Sequence, residues 1–176
     1  LGLAKKKFNI PVVAGGVVPT VVPQIIIENP NIDYAVEAEG EVAFKELLNA
    51  LKKGNDVSKV PNLWYKDNGK VKKTELVRYM DMNDLPNQNT DFWDKKHFLK
   101  PYNGVMYQTG FFEASRGCMH KCHYCFNRYL QVGLSDAGKY RRNKSVENII
   151  REVKHLHKIH NFELIMFTDD NFLARS

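Results

Sequence analysis

Cys118-Met119-His120-Lys121-Cys122-His123-Tyr124-Cys125 holds every cysteine of the 176-residue chain, spaced C-x3-C-x2-C. The spacing brings three thiolates to one side of a tight loop. A tetrahedral zinc site or a four-iron cluster needs four ligands, so three thiolates leave one position open. An open position on a metal centre is where chemistry takes place. The loop is therefore the candidate active centre, and the rest of the chain is read for what positions it.

Upstream, Tyr102 to Glu113 is apolar and aromatic and reads as a strand that delivers the loop at its carboxyl end. Downstream, Tyr140-Arg141-Arg142-Asn143-Lys144 is basic, and Ser145 caps a helix with the stripe Val146, Ile149, Ile150, Val153, Leu156 and Ile159. His155, His157 and His160 lie among lysines and read as a solvated face. Glu163 to Phe167 is a short strand that ends in Thr168-Asp169-Asp170-Asn171-Phe172. Strand, loop, helix and strand begin a β/α barrel, in which functional groups sit at the carboxyl ends of strands. The cysteine loop and Asp169-Asp170 both fall there. A strand-end cap is the plain structural role for the two aspartates.

The first third alternates differently. Asn9 to Ala14 reads as a buried parallel strand, with Gly15-Gly16 at its end. Thr20 caps a helix from Val21 to Asn29 with Pro23 in its first turn. Ile32 to Glu37 is a second strand. The turn Glu39-Gly40-Glu41 leads into a helix from Val42 to Lys53, with apolar face Phe44, Leu47, Leu48 and Leu51 and with Gly54 as its stop. This is the end of a doubly wound α/β domain, whose ligands sit outside the carboxyl ends of its strands. The glycine pair is either a tight turn or a place where the backbone approaches a ligand closely. It is not a G-x-G-x-x-G fingerprint, and a dinucleotide site is not supported. Asp67-Asn68-Gly69 marks a hairpin, and 81–103 reads as a linker. The expected division is 1–58, 59–103 and 104–176.

Composition is that of a globular chain, with 43% hydrophobic and 26% charged residues. The apolar run Ile10 to Val18 is too short to span a bilayer, so stable membrane insertion is not expected. The net charge of +6 is spread along the chain and reads as a solvated basic surface, not a nucleic-acid face. Clustered cysteines without an export signal point to a reducing, cytoplasmic setting. Both ends read as those of a piece of a longer protein.

Ser115-Arg116-Gly117 with the cysteine stretch resembles the cluster loop of radical S-adenosylmethionine (SAM) enzymes. Tyr140-Arg141-Arg142 to Glu147 and Phe167 to Phe172 resemble later pieces of the same domain. Val13-Ala14-Gly15-Gly16 with Pro19-Thr20, and Asp33-Tyr34 through Glu39-Gly40-Glu41, resemble the end of the cobalamin-binding domain carried by one subgroup. The chain departs from the pattern at Met119, where proline is frequent, and at Ala38, where glycine is. The resemblance implies the C-terminal part of a cobalamin-binding domain followed by the start of a radical SAM partial barrel. It implies a 4Fe-4S cluster on Cys118, Cys122 and Cys125, with SAM on the fourth iron. Reductive cleavage would give a 5′-deoxyadenosyl radical. Tyr124 would lie near the adenine, and Asp169 or Asp170 would accept from the SAM ammonium. Cobalamin would pass its nucleotide tail near Gly15 and Gly16 and its face near Glu39, Gly40 and Glu41. The implied activity is methyl transfer, as in the methyltransferases, or ring formation, as in the anaerobic cyclase of chlorophyll synthesis. It would act on a small-molecule substrate, with flavodoxin or ferredoxin as reductant. Competing readings are a radical SAM enzyme without cobalamin, a Cys3His zinc module using His120 or His123, and an RNA methylthiotransferase. The last is disfavoured because 1–117 contain no cysteine.

Overall fold

A computed structural model describes residues 2–174. It divides into two compact units, 1–79 with 132–138 and 80–131 with 139–176. The first unit runs α1 (Gly2–Phe8), β1 (Val13–Ala14), α2 (Val17–Val21), α3 (Pro23–Glu28), β2 (Tyr34–Val36), α4 (Gly40–Lys53), β3 (Leu63–Asp67) and β4 (Lys70–Lys73). One sheet holds the strands in the order β1-β2-β3-β4. β1 and β2 are parallel, and β2 and β3 are antiparallel.

Successive strand residues point to opposite faces, and the two cores follow from that alternation. Val13, Tyr34, Val36, Leu63 and Tyr65 pack with Ala43, Leu47 and Ala50 of α4. Ala14, Ala35, Trp64 and Val71 pack with Ile26 and Ile27 of α3. The sheet is thus covered on both faces, as expected for a doubly wound domain. Gly54 ends α4 in the left-handed conformation, with its amide on the carbonyls of Ala50 and Leu51. Asp33 fixes the entry to β2. Its carboxylate is partly desolvated, but hydrogen bonds from Lys5 Nζ at 2.6 Å and the Val12 amide at 2.8 Å prevail and lower its pKa.

Three expectations change here. The hairpin forms around an Asn68-Gly69 turn with both φ values positive, but it belongs to the first unit and not to a separate 59–103 segment: β3 and β4 complete the first sheet. Thr20 is not a helix cap. It lies inside α2, and the chain breaks at Val22, because a residue before proline is pushed out of the helical region. The buried face of α4 is Ala43, Leu47 and Ala50, whereas Phe44 and Leu48 are 46% and 50% exposed.

The second unit contains β5 (Leu99–Tyr102), β6 (Val105–Phe112), β7 (Ser115–Arg116), most of α5 (Phe126–Gly133), β8 (Arg142–Asn143), α6 (Val146–His160) and β9 (Leu164–Phe167). β5 and β6 are antiparallel and β6 and β9 parallel, so β6, α6 and β9 form one βαβ crossover. The core is Phe98, Phe112, Leu156 and Phe162, with Val153 and Phe167 against it. Ser145 caps α6 by accepting from the Asn148 amide. Part of the expected linker is therefore structured: β5 pairs with β6 around Asn103-Gly104. Only part of the α6 stripe is buried, and Val146, Ile150 and Ile159 stay exposed. His155 and His157 face solvent. His160 does not. Its Nε2 lies 2.7 Å from Thr90 Oγ1, and its ring stacks on Phe162. Among the described residues no helix is long and apolar enough to cross a membrane.

Candidate cofactor-binding sites

In the first unit the carboxyl ends of β1 and β2 open onto a groove of about 690 Å³. Gly15 and Gly16 form one wall, and Ala38, Gly40 and Glu41 form another. Val13, Val36, Phe44 and Leu48 give it an apolar lining, and Lys45 and Asn49 complete it. Of the five residues expected to meet cobalamin, Gly15, Gly16, Gly40 and Glu41 share this groove. Glu39 is not among its lining residues. It precedes α4, and its carbonyl accepts from Asn62 Nδ2 at 3.5 Å. A side chain at Gly15, Gly16 or Gly40 would meet nothing within 4 Å, so bare backbone faces open space on both walls. That is the surface a large flat ligand needs for close approach.

Phe44 and Leu48 were assigned to a core, and they line the groove. The signal was present in sequence: Ala43, Phe44, Leu47, Leu48, Ala50 and Leu51 span too wide an arc for one buried stripe. Ala38 carries a second signal. Its φ is +63°, a left-handed conformation that costs a non-glycine residue about 1–2 kcal/mol.

In the second unit the cysteine loop leaves β7 and ends at α5. Its root is held firmly. Asp169 accepts from the Ala114 amide at 3.1 Å and from Ser115 Oγ, tying the segment after β6 to the end of β9. Gln131 Nε2 donates to the Cys118 carbonyl. Gly117 is buried at φ +80°, and a Cβ there would lie 2.8 Å from the Tyr140 carbonyl oxygen. Gly117→Ala is expected to cost about 2–4 kcal/mol, from left-handed strain plus overpacking against backbone. Thermal or urea unfolding measures it, and an unchanged midpoint would show that the root yields freely.

Inside the loop the bonds are local. The His120 amide donates to Cys118 Sγ at 3.5 Å, and the Cys125 amide to the Cys122 carbonyl at 3.2 Å. Cys122 is exposed, and Cys118 and Cys125 are half-buried. Among the described residues no group of three or more His, Cys, Asp or Glu side chains converges as a metal site. The bonds fix the ends of the loop and not the spacing of its sulfurs. The donor set still fits an iron–sulfur cluster: three accessible thiols on one loop, and no fourth cysteine in the chain.

Two charged neighbours are engaged elsewhere. Arg116 Nε donates to Glu113 at 2.9 Å. Arg128 Nη1 lies 3.0 Å from His123 Nδ1 and 3.4 Å from the Lys121 carbonyl. Tyr124 is 93% exposed, so its whole ring face is open. Both Asp169 oxygens are spent on the loop root, which is the strand-end role for that residue. Asp170 is exposed beside it.

Residues 112–176 match the model of the radical SAM superfamily, from the end of β6 through β9. An uncharacterized methyltransferase of Pyrococcus horikoshii is 37% identical over 169 residues, which cover 93% of this chain and 34% of that protein. The anaerobic magnesium-protoporphyrin IX monomethyl ester cyclase of Synechocystis is 28% identical over 172 residues, covering 97% of this chain and 32% of the cyclase. The chain thus spans about a third of the length of both relatives. Among solved structures, TsrM from Kitasatospora setae matches with a TM-score of 0.61 at 19% identity, over 92% of this chain and 31% of TsrM. TsrM is a radical SAM methyltransferase, solved with cobalamin and a 4Fe-4S cluster bound. At that identity the likeness is one of fold.

Proposed function

We propose, from the premise that residues 112–176 are a radical SAM domain, that Cys118, Cys122 and Cys125 are the protein ligands of a 4Fe-4S cluster and that SAM takes the position they leave open. We propose further that the groove of the first unit receives part of a cobalamin. One observation carries the reading. The cysteine spacing sits where β6 ends in a βαβ crossover, inside the stretch that matches the superfamily.

Bound there, the cluster would supply the electron for reductive cleavage of SAM, and the corrinoid would serve methyl transfer or ring formation on a small-molecule substrate. The chain's own residues have narrower tasks. The three thiols must lose their protons to ligate. Tyr124 offers an open aromatic face to the adenine. Asp170, exposed at the end of β9, accepts from the SAM ammonium, because the carboxylate of Asp169 already holds the loop root. The Cys3His zinc alternative is weakened at His123, whose ring nitrogens face an Arg128 N–H. The implied electron donor is a flavodoxin or ferredoxin.

Anaerobic purification of the full-length protein is expected to give about four iron and four labile sulfide per chain. Zinc without iron or sulfide would sink the radical reading. Titration with hydroxocobalamin tests the groove. Gly15→Leu places a side chain in open space without left-handed strain, and it is expected to weaken corrinoid binding by about tenfold or more at unchanged iron content. Equal binding by that variant would move the corrinoid elsewhere. No binding by the parent protein would leave the first unit as a scaffold.

A further inference from the structure

The geometry points to Thr20 as the positioning residue of the groove, a single hydroxyl that sets the separation of its two walls. The inference rests on the corrinoid reading of that groove. Thr20 is 5% exposed, and a buried hydroxyl is costly unless it is hydrogen-bonded. It makes two bonds. Its Oγ1 donates to the Gly16 carbonyl at 2.7 Å and accepts from the Ala38 amide at 3.0 Å. The first is a local bond to the preceding turn, of a kind common for threonine in helices. The second crosses 18 residues of sequence.

The need for that second bond comes from the sheet. The β1–β2 ladder has its last partners at Ala14 and Ala35, so the pairing stops before the glycine pair and before Ala38. Beyond it, Thr20 links the loop after β1 to the loop after β2. The residues flanking Ala38 are held from elsewhere: the Glu37 amide donates to the Asn62 carbonyl, and Asn62 Nδ2 reaches the Glu39 carbonyl. Ala38 itself is left-handed, and the Thr20 hydroxyl satisfies its N–H in that conformation. Strain at a non-glycine residue persists where the surroundings over-determine it, and the Thr20 hydroxyl joins Asn62 in that constraint, acting on Ala38 itself. Without the hydroxyl, the Ala38 N–H loses this bond and the side-chain link between Gly16 and Ala38 is gone, so the two walls can drift apart. Two lining residues would then move together, although Thr20 is not among the residues that line the groove.

The test uses the full-length protein with its cluster and hydroxocobalamin as probe, read by visible-absorbance titration. Thr20→Val keeps the shape and removes donor and acceptor together. Its expected Kd is about tenfold weaker, with iron content unchanged. Thr20→Ser keeps both bonds and is expected to restore most of the affinity. A purely structural role would lower the melting temperature of Thr20→Val while leaving the Kd of the folded protein at the parent value, and that result overturns the inference. If Thr20→Val does not fold, Thr20→Cys substitutes a weak donor and acceptor. An intermediate Kd then supports the assignment, and a parent-like Kd overturns it. Absence of binding by the parent protein overturns the corrinoid reading itself, and this inference with it.

Discussion

Lys144→Met is expected to destabilise the second unit by about 3–5 kcal/mol, the cost of leaving the buried Glu152 carboxylate without its ammonium. Lys144 Nζ lies 2.7 Å from Glu152 Oε2, and the two side chains are 8% and 5% exposed. Burial this complete removes most of the water that would otherwise solvate a stranded carboxylate. Glu152 Oε1 is buried without a hydrogen bond, so the carboxylate is already only partly compensated, and the pair adds little over an apolar one. The asymmetry gives a sharper expectation. The double replacement Lys144→Met with Glu152→Leu should return to within about 1 kcal/mol of the parent or exceed it. Urea unfolding followed by far-ultraviolet circular dichroism separates the two cases. A single variant as stable as the parent would show that Glu152 finds water, another donor or a proton. The loss would be felt at the cysteines, because the Lys144 amide donates to the Ala114 carbonyl, beside the root that Asp169 holds. A stability of 5–15 kcal/mol is usual for a domain, so the single change removes a large share of it and depletes the cluster-competent population only where the parent lies near the low end of that range.

Much of this architecture could be read from the chain, and the failures share a cause. Period-two alternation in Tyr34-Ala35-Val36 and Leu63-Trp64-Tyr65 announces a sheet covered on both faces, and the two cores obey it. Asn68-Gly69 marked one hairpin correctly. Asn103-Gly104 carries the same signal at the edge of the expected linker, and both turns have the same paired positive φ values. Thr20 was read from its type, since threonine before a helix is a good cap. The proline two positions after Val21 decided otherwise, by ending one helix and starting the next. Phe44 and Leu48 were placed in a core because apolar residues on a helix usually are, and no local rule says which apolar arc faces a ligand. Asp169 and Asp170 are identical in sequence terms. Only the tertiary contact with Ala114 and Ser115 separates a residue that holds the loop from one that faces solvent. The cysteine spacing conveyed which residues could ligate. It did not convey how far apart the sulfurs lie, because that depends on backbone torsions within a loop whose bonds fix only its ends.

Cys122→Ala is expected to abolish cluster assembly and SAM cleavage together while leaving the fold intact. Cys122 is the exposed member of the three. An exposed substitution away from packing or caps usually shifts stability by no more than about 0.5 kcal/mol, so the loss is separable from unfolding, unlike that at Lys144. The chain holds no fourth cysteine to take its place. Two thiols would leave two irons without protein ligands, and the single open position that gives SAM its seat would no longer be defined. Cys118→Ala and Cys125→Ala should lose iron equally, but both residues are half-buried and their stability needs checking first. The readouts are iron and labile sulfide per chain after anaerobic reconstitution, and methionine released from SAM on reduction. Hydroxocobalamin affinity should stay at the parent value, because the groove residues belong to the other unit. Full iron content in Cys122→Ala would refute the ligand assignment. A parent protein that binds zinc alone, and loses it in this variant, would assign the same three residues to a structural metal and remove the radical chemistry.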